Sequence, residues 1–128
     1  MAERQRVSSG SPFESVFGFS RAIRVGDRIF VSGTVAWSEA GELVGAGDMY
    51  AQAKQAIANI EAALREAGAS LSDVVRTRMF VTDITRFEEV ARAHSEAFGE
   101  VRPAATLVAV TALAAPELLV EIEADAIV

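Results

Sequence analysis

A chain of 128 residues, 51% hydrophobic and 23% charged, has room for one domain around one core and none for a second. Its formal net charge of −6 produces a long-range field that repels phosphate backbones, which disfavours non-specific nucleic-acid binding. The lack of cysteine excludes a disulfide framework, a thiolate nucleophile and cysteine-ligated metal, and fits a reducing, cytoplasmic compartment.

The first fifteen residues lack the apolar stretch of a secretory signal, and the longest apolar run, residues 107–115, is too short to span a membrane. A soluble protein is expected. So short a chain with a mean hydropathy of +0.26 leaves apolar area for a partner subunit to cover, so an oligomer is expected as well.

Residues 1 to about 12 are polar and read as an arm, loose or pinned against the body, without identifiable chemistry. From Phe19 to Thr34 two alternating runs flank Gly26-Asp27, the pattern of a β-hairpin. Period-two geometry assigns Ile23, Val25, Ile29 and Val31 to one face, and Arg24, Arg28, Phe30 and Ser32 to the other. A glycine-punctuated loop between Trp37 and Gly47 leads to Asp48. That residue can cap a helix with apolar positions Met49, Ala53, Ile57, Ile60 and Leu64, which Gly68 closes.

Residues 73–81 alternate Val75, Thr77, Met79 and Val81 against Arg76, Arg78 and Phe80, a strand with a doubly basic face. Thr85 and Glu88 have capping-box spacing ahead of a second helix. Phe87, Val90 and His94 fall on one side of it, and Gly99 ends it. Beyond Arg102-Pro103 come two apolar runs, 105–110 and 118–128, parted by a small-residue stretch with Pro116, and both read as strands. This order predicts one α+β domain over residues 1–128, a mixed sheet with two helices on one face. Arg76, Arg78, Phe80, Glu121, Glu123 and Asp125 would lie on the uncovered face. Several subunits could pack those faces around a shared centre, with opposite charges paired and pockets between chains.

Three segments, AIRVGDRIFVSGT (22–34), DVVRTRMFVTDI (73–84) and RPAATLVAV with LLVEIEADA (102–110 and 118–126), resemble the signature segments of the RidA (YjgF) family. The Pro-Ala strand start followed at this separation by Val-Glu-Ile-Glu-Ala is the most specific part, and the resemblance spans nearly the whole domain. It implies a chorismate-mutase-like fold assembled as a homotrimer with three small-molecule clefts at subunit boundaries. It also implies hydrolysis of 2-aminoacrylate and related enamines or imines to 2-oxo acids and ammonia, with neither metal nor organic cofactor.

The resemblance places Glu121 as the carboxylate that positions or activates water, and Phe19, Ser32, Gly33, Arg78, Ala105 and Thr106 around the ligand. Two of these depart from the family. Ala105 stands two residues after Pro103, where active relatives carry an arginine that pairs with the substrate carboxylate, and Phe19 stands where many carry a tyrosine. Losing such a charge-assisted contact typically removes about 1.5–3 kcal/mol of binding. Little or no activity on 2-aminoacrylate itself is therefore expected, and the ligand is expected to be less acidic than the family's.

Each candidate has a plainer reading. Glu121 alternates with Glu123 and Asp125 and could belong to a polar sheet face rather than act as general acid and base. Arg78 or Arg76 could reach a cleft in place of the missing guanidinium, or simply face acidic residues of another subunit; Arg102 is a further candidate. Ser32 has no base near it in sequence, and His94 alone lacks both triad and metal-ligand spacing, so no metal is expected. The glycines at 41, 45 and 47 lack phosphate-loop spacing and read as a connector at the cleft rim. Phe13, Phe17, Phe19 and Trp37 belong to a pocket wall or, more ordinarily, to core and interface. Two functions follow: a RidA-like hydrolase with altered or lost carboxylate recognition, or a non-catalytic trimer that binds a metabolite or protein partner. A ribonuclease or translation inhibitor is a distant third, given the acidic balance and single histidine.

Overall fold

The hairpin register overturns one of those faces. In the computed structural model, which describes residues 3–128, strands β2 (Ala22–Val25) and β3 (Arg28–Thr34) pair as Ala22 with Val31, Ile23 with Phe30 and Arg24 with Ile29. Opposed residues in an antiparallel ladder share a face. Ala22, Ile29 and Val31 therefore enter the core, whereas Ile23 joins Phe30 on the opposite face and Arg24 crosses to the core side. A two-residue turn pairs odd positions with even ones, so like parity across a hairpin means opposite faces.

Six strands form one sheet in the order β1-β2-β3-β6-β4-β5, with β1 Arg4–Val7, β4 Val74–Val81, β5 Ala104–Ala109 and β6 Val120–Ile127. Part of the expected arm, Arg4–Val7, is thus pinned to the body as a strand. β1 pairs with β2 at one sheet edge, and a short helix α1 (Phe13–Phe17) follows; the first two residues of the arm lie outside the described part. Its polar residues concealed a strand because an edge strand buries little: only Val7 of β1 is buried.

Helix α2 (Met49–Glu66) connects β3 to β4, and helix α3 (Phe87–Phe98) connects β4 to β5. β3 and β4 both run antiparallel to the strand between them, β6, and β4 and β5 are parallel, so both connections are crossovers between parallel strands. Crossovers of this kind are right-handed, and these two progress in the same direction across the sheet, so both helices must fall on the same face. The expected mixed sheet with two helices on one side is the result.

Helix α2 begins as expected: the Asp48 carboxylate accepts from the Ala51 N–H, and all five anticipated apolar positions are buried. It ends at Gly68 with φ +88°, where Arg24 Nη1 donates to the Ala67 carbonyl at 2.7 Å. Helix α3 starts differently. Asp83, not Thr85, supplies the cap, accepting from the Thr85 N–H and capping a single 3-10 turn that runs into the helix. In β4, Thr77, Met79 and Val81 are buried as anticipated, but a register shift between Val74 and Arg76 buries Val74 and turns Val75 outward, 43% exposed.

Gln52 is fully buried among apolar residues and fully bonded. Its amide donates to the carbonyls of Gly45 and Glu117 and accepts from the Leu119 N–H, which ties the glycine-rich loop to the entry of β6.

Candidate functional site

Opposite the helices, β6 presents Glu121, Glu123 and Asp125 beside Phe80, Arg78 and Arg76 of β4. All six residues expected there share that face. Arg78 Nη1 bonds Glu123 at 3.1 Å and reaches Asp125 at 3.5 Å, so this guanidinium is matched to two carboxylates of its own chain.

Between α1 and this face lies a cavity of about 590 Å³, whose walls include Phe19, Ser20, Ser32, Phe30, Arg6, Glu14, Glu123 and Asp125. Gly18, at φ +77°, turns the chain from α1 toward Phe19 and the sheet. The Glu14 carboxylate, pushed up by burial but held down more strongly by hydrogen bonds from the Ser9 N–H and hydroxyl, keeps an ionised group at the rim. Phe13 and Phe17 stack on α1 outside, with Phe17 74% exposed.

Of the anticipated ligand residues, Phe19 and Ser32 line this cavity. The Ser32 hydroxyl donates to the Ser20 carbonyl at 2.7 Å. Gly33 follows, where the β3–β6 register shifts, and Glu121 lies across it: a Cβ at residue 33 would stand 2.1 Å from a Glu121 carboxylate oxygen. The glycine is needed for space, its φ being ordinary. Ala105 and Thr106 belong to β5, the far edge strand, and do not line the cavity. Thr106, opposite Arg78, shares the uncovered face, whereas Ala105, opposite Thr77, turns to the helix side.

Glu121 is half-buried, and burial pushes its carboxyl above the ordinary value of 4.5; the positive charge of Arg21 pulls it back and Glu123 adds to the rise. Such a group can hold or release a proton nearer neutral pH than a surface carboxylate. The basic partner was missed in the sequence. Arg21 Nη1 donates to the Gly33 carbonyl at 2.7 Å and the Thr34 hydroxyl at 2.8 Å, with a longer contact of 3.5 Å to the Ser32 carbonyl. Its guanidinium carbon lies 5.3 Å from the centre of the Phe19 ring. The signal available was weak: Arg21 precedes the first alternating residue of the hairpin, and only the observed register opposes it to Ser32.

His94, on α3, lies on the other side of the sheet, bonded to the buried Thr77 hydroxyl at 2.8 Å, with its pKa lowered by burial. It is a partly buried residue packed between α3 and the sheet. Among the described residues no group of three histidines or carboxylates is placed to hold a metal ion, and no helix is long and apolar enough to cross a membrane.

An uncharacterized protein of Streptomyces coelicolor is 41% identical over 122 residues, covering 95% of this chain and 90% of that one. A crystal structure from Mycobacterium tuberculosis, described as a member of the highly conserved YjgF/YER057c/UK114 family, superposes with a TM-score of 0.90 at 52% identity over 98% of this chain and 100% of that one. Further away, a 2-iminobutanoate/2-iminopropanoate deaminase of Dermatophagoides farinae is 26% identical over 113 residues, 88% of each chain. The family model described as Endoribonuclease L-PSP matches residues 10–128. With a six-stranded mixed sheet, helices packed on one side and these likenesses along nearly its whole length, the chain belongs to the YjgF/RidA family and has its chorismate-mutase-like α+β fold.

Proposed function

We propose that this protein is a small-molecule hydrolase of the enamine/imine deaminase type, cofactor-free, acting in clefts completed between the subunits of a homotrimer with carboxylate recognition altered from the family pattern. The observation that carries the proposal is Glu121: a half-buried carboxyl with a raised pKa, seated over Gly33, which follows the cavity-lining Ser32, although Glu121 is not itself among the lining residues. A deaminase among the relatives is consistent with it. The ribonuclease reading has less physical support, because three carboxylates in the cavity wall and a net charge of −6 oppose a phosphodiester chain.

The chemistry asks little of the protein. Ionised Glu121 takes a proton from water as the water oxygen attacks the C=N carbon, and delivers that proton to the imine nitrogen to give a carbinolamine. Glu121 then takes the carbinolamine hydroxyl proton and delivers it to the amino nitrogen, so that the carbonyl forms, the C–N bond breaks, ammonia leaves and the carboxylate is regenerated. Peptide groups and the hydroxyl at Ser32-Gly33 supply fixed dipoles beside this path.

Trimer formation is supported by the uncovered sheet face, with Phe30 and Val108 both more than 40% exposed, and by the open edge of β5. The test uses imines released in situ by an amino-acid oxidase from several amino acids, with ammonia and carbonyl product followed together. Release faster than in buffer for at least one imine, lost on Glu121→Gln, is expected. No acceleration with any imine would leave only a binding protein.

A further inference from the structure

We propose that Arg21 holds the anionic group of the ligand, a carboxylate or a comparable planar oxyanion, replacing the guanidinium absent at Ala105. This inference rests on the hydrolase reading for the ligand's chemistry and goes beyond it in naming the anchor.

Arg21 is the cation that the fold brings to Glu121. It lies opposite Ser32 at the entry to β2, on the uncovered face, and its Nη1 is committed to the Gly33 carbonyl and the Thr34 hydroxyl. Those contacts fix the plane of the fork while leaving Nε and Nη2 without a hydrogen-bond acceptor among the described residues. Among the described residues no carboxylate comes within ion-pair distance of it either. The described ion pairs involve Lys54, Arg65, Arg78 and Arg86, whereas Glu14 and Glu121 act on Arg21 only through their fields.

A half-buried guanidinium held rigidly on one side and unpaired on the other is costly unless something anionic completes it. Phe19 fits this arrangement: its ring shields the cation without offering an oxygen that would occupy the free donors. A fork with two free N–H groups matches a carboxylate in bidentate fashion. The other candidates are either paired or exposed, Arg76 being among the exposed ones. Arg78 is paired with both Glu123 and Asp125, and Arg102 is exposed beyond α3.

The experiment compares 2-oxobutanoate with its neutral methyl ester by amide chemical-shift titration of the assembled protein, in the parent, Arg21→Gln, Arg21→Lys and, as a surface control, Arg65→Gln. For the parent and the control, 2-oxobutanoate is expected to shift the Gly33 amide and the Arg21 Nε–H. Arg21→Gln should weaken the acid about ten- to a hundredfold while leaving the ester within about twofold; Arg21→Lys, which keeps the charge but not the fork, should fall between. Should Arg21→Gln not fold, the Lys variant alone decides by the same acid-to-ester contrast. Unchanged acid affinity in the variants, equal loss for acid and ester, or no binding of the acid by the parent would each overturn the assignment. Hydrolysis of neutral imines would be untouched by those outcomes, so the hydrolase reading stands or falls separately.

Discussion

At the scale of single residues the site depends on a missing side chain. Gly33 leaves room for the end of Glu121, and that end is flexible, so Gly33→Ala should move the carboxylate more than it disturbs the fold. We expect the variant to lose under about 1 kcal/mol of stability, since alanine in a strand recovers part of the glycine penalty. Its imine hydrolysis should fall as far as in Glu121→Ala, and a thermal melt beside a turnover assay checks both halves.

Glu121 also makes a pH prediction with a definite sign. Its folded carboxyl binds a proton more tightly than the unfolded one, so stability attributable to this group is complete below about pH 4.5 and declines as pH rises through the raised value. Glu121→Gln should therefore melt higher than the parent at pH 7, with the gap closing as pH falls below 4.5; a constant gap across that window would contradict the burial argument. Part of this residue cluster was legible beforehand. Ser32, Gly33 and Glu121 came from the family resemblance, but Arg21 depends on strand register, which composition and periodicity do not specify across a two-residue turn.

At the scale of elements, ends and loops are held by side chains whose partners are distant in sequence. Gln52 serves three backbone groups at Gly45, Glu117 and Leu119, so Gln52→Ala leaves buried donors and acceptors unmet. A loss of about 3 kcal/mol or more is expected, readable in a denaturant melt. At the other end of α2, Gly68 at φ +88° lies close to Arg24, where an added Cβ would stand 2.9 Å from the guanidinium. Gly68→Ala should cost about 1–2 kcal/mol from the left-handed backbone alone, and pairing it with Arg24→Ala should cost less than the sum of the single changes.

Helix α2 was readable from its cap and its apolar spacing because both are local. Strand β1 was not, because an edge strand with one buried residue carries no alternation to detect. The start of α3 was misplaced for a similar reason: Asp83 and Thr85 are both plausible caps, and only backbone geometry chooses between them.

At the scale of the molecule, two crossovers of one hand progressing the same way across a sheet leave its other face without a cover. That face carries Phe30 and Val108 together with Arg78 and its acidic partners. Sedimentation of the proposed trimer should give about three times the chain mass of 13.6 kDa. Val108→Asp should shift it toward monomer, because an unpaired carboxylate buried at each interface costs about 3–5 kcal/mol.

The sequence by itself determined the class of fold, the extent of α2, the existence of α3, five of the six strands and the uncovered face. These follow from apolar periodicity and chain order, which are local properties. Tertiary structure decided the burial of Val74 in place of Val75, the edge strand, and the meeting of Arg21 with Ser32, Gly33 and Glu121. The hairpin register is local and follows from the two-residue turn, whereas the others are pairings between segments far apart in the chain, fixed only when the sheet and helices close together.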